Sequence, residues 1–206
     1  MSFAEITAQQ LTIDGDDGSL IRGLDLHADG GRMLGVTGPS GSGKTALLHA
    51  LGGLLPASGG QLLLHGRPAV LWRDTSLGLI LQNLALVPLL TAQETVALPL
   101  QAKGLPKPEV EQRSAAALDV LGLADHLAQL VGHLSGGQRQ RVAVARALAA
   151  SPDVILADEP TSALDEHWRQ VVLNLLVAEA RRGAVVIVAS TDSAVIERCD
   201  EVVALG

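Results

Sequence analysis

Short apolar segments recur along most of this 206-residue chain, and helix-like segments stand between them. An apolar run that ends at a polar or glycine-rich turn is typical of a strand buried on both faces of a parallel sheet. The runs of this kind are Met33 to Thr37, Leu77 to Leu81, Val154 to Ala157, Ala184 to Ala189 and Glu201 to Leu205. We therefore predict an α/β fold with a parallel sheet that helices cover on both faces.

The N-terminal part of the chain has a different pattern, because apolar and polar residues alternate there. Phe3 to Ile13 and Leu20 to His27 are predicted strands. A turn at Asp14 to Gly18 separates them, and Gln61 to His65 is a further strand. Alternation with a period of two is typical of strands that bury one face. This pattern predicts an N-terminal antiparallel β region beside the parallel core.

Helical patterning dominates the middle of the chain, from Thr91 to Leu130. Proline interrupts helices, so we expect three residues to divide this segment: Pro99, Pro106 and Pro108. We interpret residues 82–134 as a helical subdomain inserted into a core formed by residues 1–81 and 135–206. Core and subdomain together form one domain, in keeping with the length of the chain.

Composition narrows the classes of function that the chain can have. Its net charge of −7 argues against a general nucleic-acid-binding surface. The single cysteine, Cys199, excludes internal disulfides and cysteine-based zinc sites and is typical of a reducing compartment. No uninterrupted apolar run approaches the length of a membrane-spanning helix, so we do not expect the chain to cross a membrane by itself.

A glycine-rich stretch links the first predicted core strand to a helix that begins near Gly43. Its residues are Gly38, Pro39, Ser40, Gly41, Ser42, Gly43, Lys44 and Thr45, followed by Ala46. This spacing is the P-loop pattern, in which curled backbone N–H groups and a helix N-terminus bind a phosphate chain. Lys44 would contact the outer phosphates and Thr45 would bind Mg²⁺. The alternative is a glycine-serine turn without a ligand.

Four further motifs accompany the P-loop. They are Gln82, the Leu-Ser-Gly-Gly-Gln sequence of Leu134 to Gln138, the acidic pair Asp158-Glu159, and the segment Ser162 to Asp165. In this order they resemble the Q-loop, signature motif, Walker B segment and D-loop of an ABC transporter nucleotide-binding subunit. The P-loop alone would leave kinases, GTPases and helicases open. The resemblance extends nearly end to end and implies a P-loop NTPase fold, an ATPase activity and the cofactors ATP and Mg²⁺.

The acidic pair carries most of the chemistry that the resemblance implies. Asp158 ends a buried strand beside the P-loop, where its carboxylate can hold Mg²⁺ together with Thr45 and Gln82. Glu159 points to the other side of the chain, which suits a general base or an orienter of the attacking water. Gln82 would also report the γ-phosphate to the helical subdomain. The alternatives are an acidic strand end beside a turn and a plain turn glutamine.

The signature residues form a second predicted anion site, because backbone N–H groups and a helix N-terminus follow Ser135. The resemblance implies that two chains pack head to tail around two ATP molecules. The residues of one chain that cover the ATP on the P-loop of the other would be Ser135, Gly136, Gly137 and Gln138. The second chain would be an identical copy or a paralogous subunit. Ser135 is also expected to cap the helix, which is the local alternative.

The stretch Leu89 to Leu100 resembles one branch of the family, which includes lipoprotein-releasing, macrolide-exporting and cell-division ATPases. The partners of these ATPases transmit force. The resemblance therefore implies an integral membrane permease subunit, contacted through a groove near Gln82 to Leu90. It also implies a cytoplasmic, peripheral position on the inner face of the cell membrane. No nucleic-acid partner is expected.

Three departures from the family pattern bear on activity. Leu11 to Gly15 contains no aromatic residue to stack on adenine, so we expect weak nucleotide affinity and weak base selectivity. Gly66 to Ser76 is shorter than the usual segment ahead of Gln82. Thr191 stands where the family has a histidine that contacts the γ-phosphate. We therefore expect slow hydrolysis and retain Thr191 as a candidate catalytic residue.

The sequence thus predicts the ATP-binding and ATP-hydrolysing subunit of an ABC transporter, with Lys44, Gln82, Glu159 and Thr191 as its catalytic residues. The main alternative is an ATP-gated clamp that regulates a membrane protein with little turnover. Thr191 favours that alternative, whereas Glu159 favours hydrolysis. A soluble ABC ATPase of DNA repair or translation is disfavoured, because neither a long coiled coil nor a tandem second cassette is present in the sequence.

Overall fold

The computed structural model describes residues 4–15, 18–68 and 77–206. Phe3, the centre of the turn predicted at Asp14 to Gly18 and most of Gly66 to Ser76 lie outside these ranges, so the predictions for them are not tested. Except for the short strand Arg67–Pro68, which was not predicted, the strands and α-helices of the described part follow the predicted order. They are β1 (Glu5–Gly15), β2 (Gly18–Asp29), β3 (Met33–Thr37), α1 (Lys44–Leu51), β4 (Gly59–Leu64), β5 (Arg67–Pro68), β6 (Leu77–Ile80), α2 (Ala92–Ala102), α3 (Lys107–Val120), α4 (Gly136–Leu148), β7 (Val154–Asp158), α5 (Glu166–Arg182), β8 (Val185–Ala189), α6 (Ser193–Ile196) and β9 (Glu201–Ala204).

A parallel sheet with the strand order β6-β7-β8-β3-β9 forms the centre of the protein. Every residue of β7 and β8 is buried, because their sequences are apolar up to the final residue of each strand. Strands of this kind lie in the interior of a sheet that is covered on both sides. The predicted α/β fold with a parallel core is confirmed.

The two faces of the parallel sheet contact different partners, because successive side chains of a strand point to opposite faces. On β8, Val186 and Val188 pack with residues of α2 to α5. Val185 and Ile187 of the same strand pack with α1 and with the N-terminal strands. Helix α1 therefore lies on one side of the sheet, and α4 and α5 lie on the other.

The N-terminal strands form an antiparallel sheet in the order β2-β1-β4-β5. This sheet confirms the predicted antiparallel region. Its apolar face, which includes the fully buried Ile6, Leu11 and Ile13, joins the same core cluster as α1. The register of β1 shifts at Gln10, whose φ of 50° marks a bulge that bends the strand.

Pro99 lies inside α2, so the prediction that it divides the helical segment is wrong. A proline in a helix interior costs about 3 kcal/mol. The helix continues because Val96 and Leu100, on either side of Pro99, are fully buried. Burial of such side chains stabilises by about 1.5–3 kcal/mol each. A capping box formed by Thr91 and Glu94 also stabilises the first turn of α2.

Pro106 and Pro108, by contrast, stand at the N-terminus of α3, where the helix requires no N–H donor. They separate α2 from α3 as predicted. That residues 82–134 form a distinct subdomain remains a prediction. Among the described residues, no helix combines the length and the hydropathy that crossing a membrane requires.

On the face of the parallel sheet opposite α1, the side chain of Trp168 packs where α5, α4 and the end of α3 meet. Its indole, which belongs to α5, lies so close to Gly122 that a Cβ at that position would collide with the ring. The guanidinium carbon of Arg141 on α4 lies 4.1 Å from the centroid of the indole. Arg141 Nη1 also donates a 2.6 Å hydrogen bond to the carbonyl oxygen of Leu121, at the end of α3. The position of α4 relative to α3 and α5 is therefore set by this cluster.

Candidate functional site

The carboxyl ends of β3, β7 and β8 meet at one edge of the parallel sheet, because the three strands are parallel and adjacent. Open α/β sheets bind ligands at this edge. A cleft of about 740 Å³ lies there, and all the predicted catalytic residues line it. Its lining is Leu20, Ser40, Gly41, Gly43, Lys44, Thr45, Ala46, His49, Leu55, Gln82, Asp158, Glu159, Ser162 and Thr191.

The loop between β3 and α1 requires glycine at its turns. Gly41 and Gly43 have φ values of 84° and 93°, in a region that other residues rarely adopt. A Cβ at Gly38 would collide with the carbonyl oxygen of Leu205. Gly43 also precedes α1 as its N-cap, so the free N–H groups of a helix begin at the end of the loop. This backbone can curl around an anion.

Lys44 lies within the curl of that loop and is 8% exposed. Its Nζ donates to the carbonyl oxygens of Gly38 at 2.7 Å and Pro39 at 3.0 Å. A lysine ammonium has three donors, so one more acceptor can bind it. The buried hydroxyl of Ser42, in the same loop, has no hydrogen-bond partner among the described residues. Both groups fit a phosphate chain held in the loop.

Thr45 and Asp158 are in direct contact. Thr45 Oγ1 donates a 2.6 Å hydrogen bond to Asp158 Oδ2, although 112 residues lie between them. A hydroxyl and a carboxylate side by side suit Mg²⁺, which takes one or two protein oxygens together with phosphates and water. The described residues hold no cluster of three or more metal-ligating His, Cys, Asp or Glu side chains. The Thr45 hydroxyl and the Asp158 carboxylate fit a Mg²⁺ ion that a bound nucleotide would share.

Asp158 has a raised pKa, mainly because it is buried, and the charge of Glu159 raises that pKa further. The hydrogen bond from Thr45 and the charges of His49 and Lys44 lower it. His49 lies one turn after Thr45 on α1 and lines the cleft. Sequence reasoning did not select His49, because a single histidine in a helix carries no motif.

Gln82 follows β6, the neighbour of β7, after one intervening residue, Leu81, and lines the same cleft. The backbone that follows Gln82 is unusual, because Leu84 and Ala85 have φ values of 60° and 45°. Arg146 on α4 donates to the carbonyl oxygens of both, at 3.0 Å and 2.6 Å respectively. Burial lowers the pKa of Arg146. The segment after Gln82 is thus tied to α4.

Glu159 points toward β8 instead of extending freely into the cleft. Its Oε2 accepts a 2.9 Å hydrogen bond from Ser190 Oγ, and its Oε1 accepts from the N–H and the hydroxyl of Thr191 at 2.8 and 3.1 Å. The φ of Glu159 is 48°, and its N–H donates to the carbonyl oxygen of Ala189. Thr191 therefore contacts the predicted catalytic glutamate directly, a contact that the sequence did not predict.

Gln140 is a second residue that sequence reasoning missed. It is 2% exposed, on the buried face of α4. Its Nε2 donates to the carbonyl oxygen of Glu159 at 2.8 Å, and its Oε1 accepts from the N–H of Ala163 at 3.0 Å. A polar residue among the apolar positions of a helix, here beside Val144, was the signal available in the sequence. Gln140 links α4 to the segments on both sides of Ser162.

We expect Gln140→Leu to lower the free energy of unfolding by about 1–3 kcal/mol, because it leaves the Glu159 carbonyl and the Ala163 N–H buried without a partner. Denaturant unfolding of the purified chain measures this. Gln112→Leu, a change of the same size at an exposed position of α3, is the matched control. Equal stability of the two variants would contradict the bridging role.

The signature residues lie at the start of α4 and are not part of the cleft lining. Ser135 and Gln138 form a capping box, in which each side chain accepts from the N–H of the other residue. Gln138 Nε2 also lies 2.8 Å from His126 Nε2. The capping role of Ser135 is therefore real. Within the described chain these residues and the P-loop form separate sites, so the predicted contact across two chains stays a prediction.

Part of the cleft lining is aliphatic. Leu20, which is 41% exposed, and Leu55 line it. Phe, Trp and Tyr are absent from the described lining. A purine base placed here would rest on leucine side chains without aromatic stacking.

Comparison with known proteins identifies the family. A model of the ABC transporter family matches residues 21–162. An uncharacterised ABC transporter ATP-binding protein of Mycobacterium tuberculosis H37Rv, Rv0073, is 38% identical over 98% of this chain and 65% of that protein. The lipoprotein-releasing system ATP-binding protein LolD of Legionella pneumophila is 35% identical over 97% of this chain and 94% of that protein. The relatives named LolD confirm the predicted resemblance to the lipoprotein-releasing branch.

Two other similarities extend this result. The pyoverdine export ATP-binding/permease protein PvdT of Pseudomonas syringae pathovar tomato is 39% identical over 90% of this chain, which spans only 29% of that protein. The dimeric structure of MJ0796, a bacterial ABC transporter cassette, is 30% identical and has a TM-score of 0.90 over 97% of this chain and 94% of that one. A dimeric post-hydrolysis state of MJ0796 bound to ADP and Pi matches with the same TM-score. The chain therefore belongs to the ABC transporter family, among its ATP-binding proteins.

Proposed function

We propose that this chain binds Mg-ATP in the cleft at the ends of β3, β7 and β8, hydrolyses it, and drives a membrane partner of an ABC transporter. The contact between Thr45 and Asp158 beside the enclosed Lys44 carries the proposal. Thr45 and Asp158 are suited to bind the metal, and Lys44, which is next to Thr45 in the chain, is suited to bind the phosphates. Glu159 lies at the next position, where a base for the attacking water is required.

Each residue has a separate task in this mechanism. The loop backbone and the Lys44 ammonium bind the β- and γ-phosphates. Thr45, Asp158 and Gln82 would hold Mg²⁺, which neutralises charge on the phosphate oxygens when it is bound. Glu159 orients a water on the opposite side of the γ-phosphate and accepts its proton. The water oxygen forms the new bond to the γ-phosphorus as its proton passes to Glu159, and the bond from that phosphorus to the β–γ bridging oxygen breaks, so that ADP leaves with the bridging oxygen.

The ATP-bound form is proposed to be a dimer, with an identical chain or a paralogous subunit as the second member. Support comes from the dimeric MJ0796 structures and from the separation of the signature residues from the cleft. The N-terminus of α4 can bind an anion, because Ser135 caps only the N–H of Gln138 among the first N–H groups of this helix in the described part of the chain. In the dimer, Ser135 to Gln138 would contact the nucleotide of the second chain.

The membrane partner is proposed to be an integral membrane permease subunit that binds near Gln82 to Leu90, with this chain peripheral on the cytoplasmic side. Val87 and Leu89 are 50% and 82% exposed, which supports an apolar contact there. Arg146 holds the backbone of the same segment against α4. Movement of this segment would therefore be transmitted through Arg146 to α4, the helix that begins at the signature residues.

A second candidate is an ATP-gated clamp that regulates a membrane protein with little turnover. The observation that favours it is Thr191, which stands where the family pattern has a histidine. A threonine hydroxyl is shorter than an imidazole and cannot carry a positive charge. Slow hydrolysis is therefore part of both candidates.

Phosphate release tests the proposal and separates the two candidates. We expect the purified chain to bind Mg-ATP, to form a dimer on a sizing column with ATP, and to release phosphate slowly only when Mg²⁺ is present. EDTA provides the control. Reconstitution in vesicles with the membrane protein that co-purifies from its own cells should raise turnover. Turnover that stays low with that protein would favour the clamp, and an absence of ATP binding would overturn both.

A further inference from the structure

The carboxylate of Glu159 is held by two consecutive residues that follow β8, Ser190 and Thr191. We infer that this pair forms a hydroxyl clamp in which Thr191 acts as a positioning residue for Glu159. The inference rests on the proposed function, because it assigns a task to Thr191 within the hydrolysis step. It also gives this chain a route to an oriented glutamate that does not require a histidine at position 191.

Ser190 supplies the buried half of the hydroxyl clamp. It is fully buried, and its Oγ accepts a 3.1 Å hydrogen bond from the N–H of Asp192. That contact occupies a lone pair of the hydroxyl and leaves its hydrogen to donate to Glu159 Oε2. Asp192 is itself held, because its Oδ1 accepts from the N–H of Ala194 at the start of α6. The donor toward Glu159 is thus fixed by a chain of hydrogen bonds.

Thr191 supplies the other half, at the rim of the cleft. Its N–H and its hydroxyl donate to the same oxygen, Glu159 Oε1. With Ser190 on Oε2, each carboxylate oxygen has at least one donor, so rotation of the carboxylate about its last bond would break a contact on either side. The backbone of the same residue is held by the hydrogen bond from its N–H to the carbonyl oxygen of Ala189 and by the one that its carbonyl oxygen accepts from Gln140. Side chain and backbone are therefore both restrained before a nucleotide arrives.

An oriented carboxylate lowers the barrier because the reacting groups need not be arranged during the reaction. Removing only the Thr191 hydroxyl leaves two donors in place, so the expected effect is smaller than that of losing Glu159. We expect Thr191→Val, which preserves shape and N–H, to lower kcat about tenfold, equivalent to 1.4 kcal/mol. The KM for Mg-ATP and the calorimetric affinity should change by less than about twofold, because Thr191 does not bind the nucleotide in this scheme.

Single-turnover and steady-state phosphate release measure these quantities. Thr191→Ser restores a hydroxyl and should recover most of the rate that Thr191→Val loses. Ser193→Ala removes an exposed hydroxyl two residues away and is the matched control. In a Glu159→Ala background, adding Thr191→Val should have no further effect on the residual rate, because the acceptor of the hydrogen bond is gone.

A readout without nucleotide tests the contact itself. Amide hydrogen exchange of Thr191 should become faster in Glu159→Ala, while that of Val188 within β8 should not change. If wild type and Glu159→Ala hydrolyse ATP equally fast, the proposed function fails. If Glu159→Ala is inactive but Thr191→Val has wild-type kcat, or Thr191→Ser does not recover the rate, the proposed function survives and the hydroxyl clamp is refuted.

Discussion

Glu159→Gln is expected to reduce ATP hydrolysis by a factor on the order of 10²–10³ or more while ATP binding persists. A carboxamide has nearly the size of a carboxylate, but it cannot accept a proton from water. Its amide nitrogen also cannot accept the hydrogen bond that Ser190 or Thr191 now donates to one carboxylate oxygen. The variant therefore loses the proton acceptor and part of the hydrogen bonding that orients the side chain, whereas the phosphate-binding loop is unchanged.

The measurement combines phosphate release with size-exclusion chromatography in Mg-ATP. Because hydrolysis no longer removes the γ-phosphate, we expect the ATP-bound dimer of Glu159→Gln to persist longer than that of wild type. Glu197→Gln, the same change at an exposed residue after α6, is the control. A Glu159→Gln protein that keeps full turnover, or stays monomeric where wild type dimerises, is incompatible with the role assigned to Glu159.

Lys44→Ala is expected to weaken ATP binding by roughly 10- to 150-fold, since hydrogen bonds to charged groups contribute about 1.5–3 kcal/mol. Lys44 is the lysine enclosed by the loop between β3 and α1. Its loss removes the point charge opposite the phosphates and leaves the loop backbone and the Ser42 hydroxyl as donors. Isothermal calorimetry with ATP gives the affinity directly.

Two controls accompany the Lys44 measurement. Lys107→Ala removes a charge whose side chain is 86% exposed on α3, so its effect on affinity should be negligible. Thermal unfolding of Lys44→Ala shows whether loss of the bonds to Gly38 and Pro39 has disturbed the loop. A folded Lys44→Ala protein with wild-type affinity would mean that ATP binds somewhere other than this loop.

The features predicted correctly from the sequence depend on residues close together in the chain. β3 has its predicted bounds because the whole apolar run that predicts it lies within the strand. The phosphate loop is local in the same sense, since its glycines serve the turn in which they occur. The order of the motifs indicated the family, and the family pattern in turn indicated Asp158 and Gln82 as candidate Mg²⁺ ligands.

The contacts that were missed join residues far apart in sequence. Gln140 reaches Glu159 and Ala163 across separations of 19 and 23 positions, and Thr191 reaches Glu159 across 32. No periodicity encodes such pairings. Pro99 shows the complementary error, in which a correct local preference is outweighed by packing of the neighbouring side chains. Local rules therefore predicted residues that line one cleft, but not the hydrogen bonds that Glu159 makes there.

The packing of Trp168 against Arg141 has an optical consequence. The sequence has no tyrosine and two tryptophans, Trp72 and Trp168, so ultraviolet emission of the chain comes from two indoles. One of them lies 4.1 Å from a guanidinium on α4, the helix that begins at the signature residues. In a Trp72→Phe background, Trp168 is the sole tryptophan, and displacement of α4 from α5 would alter the polarity and quenching around it. The fluorescence of Trp168 can therefore report movement of α4 relative to α5 without an attached label.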